Sequence, residues 1–145
     1  MPSAIDRGAY SCILIGQTQP KKTEVNVSQV IIKRNNKATV NDEALKKIIA
    51  AIPEPVAKYL SFPGVGGTVM PKDVIIDVLE RSPFDIFTHD LHITILFGNA
   101  ESKTIGELDT IGTDIELEFV HLVPDGATAS LEIYHTPSAW MEMQG

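Results

Sequence analysis

Histidine is the only residue type in this sequence that concentrates acid–base chemistry in one region. In the run Leu91–Gly98, the two-residue period of a strand places His92 and Thr94 on one face. The alternate residues Ile93, Ile95 and Phe97 are then expected to point into the core. An imidazole can transfer a proton near neutral pH, while a neighbouring hydroxyl can bind a phosphate oxygen. The pair therefore predicts acid–base chemistry on a small phosphate-bearing ligand.

The same run resembles the histidine-x-threonine strand of the two-histidine (2H) phosphoesterase superfamily. The resemblance covers residues 85–135, because segments 111–117 and 122–133 are similar to the glycine-led strand pair that can follow such a strand. Members of that superfamily use two such motifs, one histidine acting as base and the other as acid on a phosphodiester. The resemblance implies that His92 is an acid/base and Thr94 a phosphate contact, with no metal and no organic cofactor.

His135 stands where the second motif would fall and is the candidate partner of His92. The match is incomplete, because Pro137 occupies the position at which the motif has threonine or serine. The resemblance therefore implies a domain that hydrolyses or only binds a small phosphodiester, such as a cyclic nucleotide or an RNA end. A catalytically degenerate form of the site stays open.

The histidines also have simpler, structural interpretations. His92 can be a structural residue at the edge of the core, and His121 is expected on the inner face of a hairpin. His89 and His92 are three residues apart in an extended segment, so they project to opposite faces and do not predict a shared metal. Cys12 lies in an apolar run and is interpreted as a small buried hydrophobe.

The elements that must position these residues begin with two strands, over 10–15 and 25–33, which are closed by turn-prone residues. A helix is predicted after Asn41, a good N-cap, and Pro53 ends it. The stretch 55–60 adds a short helical turn, and a flexible connection covers 61–70. A second helix is expected from Pro71 to the Ser82-Pro83 pair.

The C-terminal half is predicted to be sheet. Residues 91–97 form one strand, and residues 115–123 and 127–135 form a hairpin turned through Asp125-Gly126. The alternation places one set of residues on the buried face and Glu116, Glu118, Ser130 and Glu132 outside. The buried set is Ile115, Leu117, Phe119, Ala129, Leu131 and Ile133.

These elements predict an α+β fold: a mostly antiparallel sheet with an N-terminal strand pair, two helices and a C-terminal three-stranded unit. The helices are expected to cover one mixed sheet. At 145 residues the chain is predicted to be a single domain, 1–145, with a tail at 136–145 that carries Trp140. The tail is expected either to pack on the domain or to contact a partner.

The net charge of −7 is unevenly distributed, with +4 over residues 1–60 and −11 over residues 61–145. This distribution disfavours long nucleic acids as partners and suits self-association or a protein partner. The alternative function is therefore a non-enzymatic, self-associating structural or accessory assembly protein, or an acidic inhibitor that binds another protein. The sequence lacks a membrane span and a signal peptide, which predicts a cytoplasmic protein or part of an intracellularly assembled particle.

Overall fold

The structure, a computed structural model, describes residues 28–62, 69–98 and 103–136. The predicted strand at 10–15 and the tail from 137 onward lie outside the described residues, as does 63–68 of the predicted connection. That the whole chain forms one domain stays a prediction. The elements are, in order, β1 (Ser28–Arg34), α1 (Asp42–Ala51), α2 (Pro53–Tyr59), β2 (Val74–Glu80), β3 (Leu91–Phe97), α3 (Ile105–Phe119) and β4 (Ala129–His135).

The four strands form one mixed sheet in the order β2-β1-β3-β4. β1 is parallel to β2, and β3 is parallel to β4, while the two central strands, β1 and β3, run antiparallel to each other. The described residues therefore contain two β-α-β units side by side, the first with α1 and α2 and the second with α3. The predicted α+β class is confirmed, as is the prediction of a mixed sheet covered by helices.

The central strands β1 and β3 alternate strictly between buried and half-buried residues. The buried residues face the helices, and we call the opposite side of the sheet the open face. The covered face and the helices share one core, in which apolar burial is the main stabilising contribution. Its most buried members include Val30, Ile32, Ile48, Ile52, Val56, Leu60, Leu91, Ile93, Ile95 and Ile115.

The first helix forms as the sequence predicts. The side chain of Asn41 accepts a hydrogen bond from the Ala44 amide at 2.8 Å and so caps the helix. Leu45 and Ile48 are buried on one stripe of α1. The helix ends at Ala51, and α2 begins at Pro53, which suits a first helical position because it has no amide hydrogen to leave unpaired.

The predicted hairpin over 115–135 is wrong, because its first strand is part of helix α3. Thr104 and Glu107 form a capping box at the start of this helix, each side chain binding the other's backbone amide. Ile115 and Phe119 are buried, whereas Leu117 is 62% exposed. Alternation and helical spacing both fit residues 115–119 locally, and the capping box is the sequence signal that favours the helix.

The helix predicted after Pro71 is also wrong, since residues 74–80 form strand β2. Pro71 begins only a short 3₁₀ turn. Apolar residues with helical spacing also satisfy an edge strand that is exposed along much of its length, and β-branched residues favour the strand. No helix among the described residues has the length and apolar character needed to cross a membrane. A cytoplasmic location stays a prediction.

The end of β1 is fixed by Arg34, a buried arginine whose side chain is 3% exposed. Its guanidinium donates two hydrogen bonds to Glu80 of β2, at 3.0 and 2.5 Å. It also donates to Asp42 at 2.8 Å and to the Val40 carbonyl at 3.1 Å. One cation thereby joins β1, β2 and the start of α1.

Replacing Thr104 with alanine is expected to lower the free energy of unfolding by about 1 kcal/mol, because the variant leaves an amide of the first turn of α3 uncapped. Urea denaturation monitored by circular dichroism measures this change. The matched control is Thr110→Ala in the same helix, where the hydroxyl only donates back to the Gly106 carbonyl. Equal losses in the two variants would contradict the capping role.

Candidate functional site on the open face

Three polar side chains lie in one row across the open face of the sheet. The register places Lys33 of β1 opposite His92 of β3, and His92 opposite Ser130 of β4. Side chains directly opposite one another on neighbouring strands are within contact distance. The row therefore combines a cation, an imidazole and a hydroxyl.

Both ring nitrogens of His92 are engaged. Nδ1 lies in hydrogen-bond contact with the Ser130 hydroxyl, and Nε2 lies 3.0 Å from Oε1 of Glu132. An ionised carboxylate can only accept, so Nε2 carries the proton and Nδ1 is left as an acceptor in the neutral ring. The Ser130 hydroxyl then donates to Nδ1. This arrangement holds the imidazole in the tautomer that can take up a proton at Nδ1.

The strands that carry His92 and Ser130 are fixed to each other immediately before these residues. The Asp90 amide donates to the Thr128 hydroxyl at 3.1 Å, and the Thr128 amide donates to the Asp90 carboxylate at 3.0 Å. The hydrogen bond from the Thr128 amide is the largest cause that lowers the pKa of Asp90. The reciprocal pair sets the parallel register that brings Ser130 against His92.

The loop between β2 and β3 forms one wall of the site. Asp85 of this loop pairs with Lys33 at 2.9 Å, and the Asn35 side chain donates to the His89 carbonyl at 2.9 Å. Together the loop and the open face border an open cavity of about 390 Å³. Its lining comprises Lys33, Asn35, Ile86, Phe87, Thr88, His89, His92, Ser130 and Glu132.

The histidines predicted to act together are not brought together. His92 and Thr94 share the open face as expected, but His135 lies on the covered face, its ring centroid 5.4 Å from that of Phe97. His121 lies on the exposed turn after α3, so its expected place inside a hairpin is wrong. Among the residues that the structure describes, no group of three potential ligands could hold a metal ion.

The sequence predicted the faces on which two partners of His92 lie, but not their contact with it. Alternation along β4 correctly placed Ser130 and Glu132 on the outer face of that strand. Their meeting with His92 depends on the parallel pairing of β3 with β4, which the expected hairpin excluded. Lys33 was missed because it faces His92 only through the pairing of β1 with β3.

Glu132 has a further neighbour at the rim. A hydrogen bond to Glu132 is the largest cause that raises the pKa of the Tyr134 phenol. The first β-α-β unit carries a similar polar pair on the open face, since Gln29 of β1 donates to Asp77 of β2 at 2.7 Å. In both units the carboxylate is two residues beyond the directly opposed position. Only the second unit adds the hydroxyl and the cavity described above.

Comparison with known proteins identifies the fold. A 5-carboxymethyl-2-hydroxymuconate delta-isomerase superposes with a TM-score of 0.57 at 8% identity, over 82% of this chain and 89% of that one. The protein Pt0534, inactivated by 2-oxo-3-pentynoate, gives a TM-score of 0.52 at 15% identity, over 81% of this chain and 92% of that one. A symmetric trimer of Q0-fused wild-type 4-OT gives 0.50 at 11% identity, covering 81% and 90%. No protein-family model and no curated protein matches the sequence.

The fold is therefore like that of these solved structures, and the resemblance to two-histidine phosphoesterases is wrong. The phosphoesterase function inferred from that resemblance is also wrong. The same holds for the interpretation of His92 and Thr94 as a phosphoesterase motif. The structure also places His135 away from His92, so the two acid/base groups that such an enzyme needs do not face one ligand. The alternative of a non-enzymatic assembly protein or inhibitor is not supported by these neighbours either.

Proposed function

We propose that this protein catalyses proton transfer on a small 2-oxo acid, as an isomerase of the tautomerase type, with His92 as the acid/base. The observation that carries the proposal is the imidazole of His92, held at both nitrogens by Ser130 and Glu132 at a cavity of about 390 Å³. The fold likeness to an isomerase, and to a protein that a 2-oxo acid inactivates, supports this substrate class.

The chemistry follows from the tautomer that Glu132 fixes. His92 Nδ1 removes a proton from the carbon beside the oxo group, and the electron pair of the broken C–H bond moves to the oxo oxygen. The Ser130 hydroxyl, released from Nδ1, donates a hydrogen bond to the developing enolate oxygen. Lys33 Nζ, which pairs with Asp85 at 2.9 Å beside the cavity, supplies positive charge for the substrate carboxylate. Return of the proton to carbon completes the transfer without any group being consumed.

The test is solvent exchange in D₂O, followed by proton NMR. The probe is 2-oxopentanoate, a saturated relative of 2-oxo-3-pentynoate, whose C3 protons exchange only through the enol or enolate. Enzyme-dependent loss of the C3 signal, above the rate in buffer alone, is the expected result. No acceleration for 2-oxo acids of different chain length would overturn the proposal.

We further propose that the protein self-associates through the loop between β2 and β3. Phe84 and Ile86 of this loop are 92% and 98% exposed. Leu79, at the end of the neighbouring edge strand, is also exposed. Aromatic and apolar residues are enriched at the centres of interfaces, and one structural neighbour is a symmetric trimer. Because Ile86 also lines the cavity, a second copy over this loop would shield the site from water.

In solution we expect an oligomer, with a mass at least twice that of the 15.8 kDa chain. Light scattering after gel filtration measures this mass. The double variant Phe84→Asp and Ile86→Asp is expected to be a monomer, because it places two charges in the interface. Ile105→Asp is the matched control, since Ile105 is 81% exposed at the start of α3, on a different element. A monomeric wild type, or an oligomer that the double variant leaves intact, would contradict this assignment.

A further inference from the structure

The ammonium group of Lys33 already has an ionic partner at the cavity on the open face. Its Nζ lies 2.9 Å from Oδ2 of Asp85, which belongs to the loop between β2 and β3. Of the described residues that line this cavity, Lys33 is the only lysine or arginine. Glu132, which also lines the cavity, is bound to His92 instead. An acid that enters the cavity therefore meets one permanent cation, and a carboxylate of the protein already occupies that cation.

Asp85 is held in place by the turn that its own loop forms. Its Oδ2 accepts a hydrogen bond from the Ser82 amide at 2.8 Å, and its own amide donates to the Ser82 carbonyl at 3.1 Å. The hydrogen bond from the Ser82 amide is the largest cause that lowers the pKa of Asp85, and the bond from Lys33 is the next. The Asp85 carboxylate is therefore presented to Lys33 in its charged form near neutral pH.

The loop has other attachments to the sheet besides this ion pair. The Arg81 amide donates to the Arg34 carbonyl at 3.0 Å, and the Arg81 guanidinium lies 4.7 Å from the centroid of the Phe87 ring. Towards the other end of the loop, the Asn35 side chain donates to the His89 carbonyl at 2.9 Å. None of these contacts involves a partner of the ion pair. The lysine can therefore exchange one carboxylate for another while the loop remains a wall of the cavity.

We infer, on the basis of the proposed 2-oxo acid substrate, that Asp85 occupies the position of the substrate carboxylate in the free protein and that the acid displaces it from Lys33. The side chains of Lys33 and Asp85 are 33% and 28% exposed, so a ligand in the cavity can reach the pair. A neutral carbonyl compound has no group that competes with Asp85 for the cation. Asp85 is therefore a residue that weakens the binding of acids and leaves the binding of neutral analogues unchanged.

Replacing Asp85 with asparagine is expected to lower the Kd for 2-oxopentanoate by about two- to fivefold, the range that follows from the modest contribution of a partly exposed ion pair. Asparagine keeps an oxygen that accepts the hydrogen bond from the Ser82 amide, so the turn is retained. Isothermal titration calorimetry measures the Kd, and far-ultraviolet circular dichroism checks that the variant is folded.

Three controls separate competition for Lys33 from other effects of the lost charge. Methyl 2-oxopentanoate carries no charge, and its Kd is expected to be the same in wild type and Asp85→Asn. Asp77→Asn removes the same charge from the open face, where Asp77 accepts from Gln29, and is expected to leave the Kd for the acid unchanged. In a Lys33→Met background, Asp85→Asn is expected to have no effect, because the cation for which the two carboxylates compete is absent.

A Kd for the acid that Asp85→Asn leaves unchanged or raises would overturn the inference. So would an equal decrease for the methyl ester or in Asp77→Asn, because a rearranged loop or the net charge would then be the cause. Calorimetry does not require turnover, so tighter binding of the acid without C3 exchange would support the role of Asp85 and contradict the isomerase function. C3 exchange with a Kd that does not depend on Asp85 would do the opposite. Failure of both proteins to bind the acid would overturn the inference as well.

Discussion

Replacing His92 with alanine is expected to slow the exchange of the C3 protons of 2-oxopentanoate by about 10²–10⁴-fold, the usual contribution of a positioned acid/base. The loss is expected in kcat rather than in KM. The imidazole accepts the proton in the chemical step, whereas Lys33 still binds the carboxylate of the substrate in the variant. The matched control is His121→Ala. His121 lies on the turn after α3, outside the cavity, and its removal is expected to leave the rate unchanged.

Two further variants of this site distinguish its possible reactions. Glu132→Gln keeps the shape of the acid but replaces the charged acceptor of the Nε2 proton by a neutral one, so we expect a partial loss of rate. Ser130→Ala is expected to cost less than His92→Ala, because the serine only stabilises the enolate oxygen. If Ser130→Ala abolished turnover while His92→Ala retained part of it, serine would be the reacting group and the proton-transfer mechanism would be wrong.

The local pattern of the sequence was sufficient for the central strands. Apolar residues occupy every second position of 91–97, and the structure buries Leu91, Ile93, Ile95 and Phe97 while leaving His92 half-exposed. Asn41 and the stripe that begins at Leu45 predicted α1 in the same way. These elements were predictable because burial on one face dictates both the period and the residue types.

The second half of the fold was not predictable from alternation alone. Ile115, Leu117 and Phe119 fit a strand, but Leu108, Ile111, Ile115 and Phe119 also fit one stripe of a helix. The capping box of Thr104 and Glu107 decides between a strand and a helix, and it precedes the stretch that alternates. With α3 in place, β4 must return parallel to β3, which no adjacent-strand hairpin allows.

In the candidate site, too, some features follow from the local sequence and others depend on contacts between distant parts of the chain. The faces of His92, Ser130 and Glu132 were each predicted from their own strands. Their contact depends on which strands are neighbours, and that is decided by packing between residues about 40 positions apart. The resemblance to a phosphoesterase rested on a short strand pattern, and a pattern of that length says little about the pairing around it.

The replacement of Arg34 by methionine is expected to cost about 2–3 kcal/mol of unfolding free energy. Removing one partner of a fully buried ion pair costs about 3–5 kcal/mol, and the smaller value applies here because Glu80 and Asp42 are more than half exposed. The buried Val40 carbonyl also loses its donor. Methionine keeps most of the length of the side chain, so little packing is lost. Urea denaturation with an unchanged m-value measures this difference.

Lys33→Met is the matched control for this substitution. Lys33 precedes Arg34 in the same strand, but its partner Asp85 is on the loop and the pair is partly exposed. Surface ion pairs contribute about 0–1 kcal/mol, so the control is expected to lose little stability. Comparable losses in the two variants would mean that the cost at Arg34 is not due to burial of its charge.

Acid is expected to remove the stabilisation that Arg34 provides. Its hydrogen bond is the largest cause that lowers the pKa values of Glu80 and Asp42 in the folded chain. A carboxyl whose pKa is lower in the folded state stabilises that state above its unfolded pKa, near the ordinary values of 4.5 and 3.8. The contribution is lost as the pH falls through the lowered folded values. The difference between wild type and Arg34→Met should therefore be constant near neutral pH and shrink on acidification. A difference that survives full protonation would come from the hydrogen bond to the Val40 carbonyl and from packing, rather than from the pairs with Glu80 and Asp42.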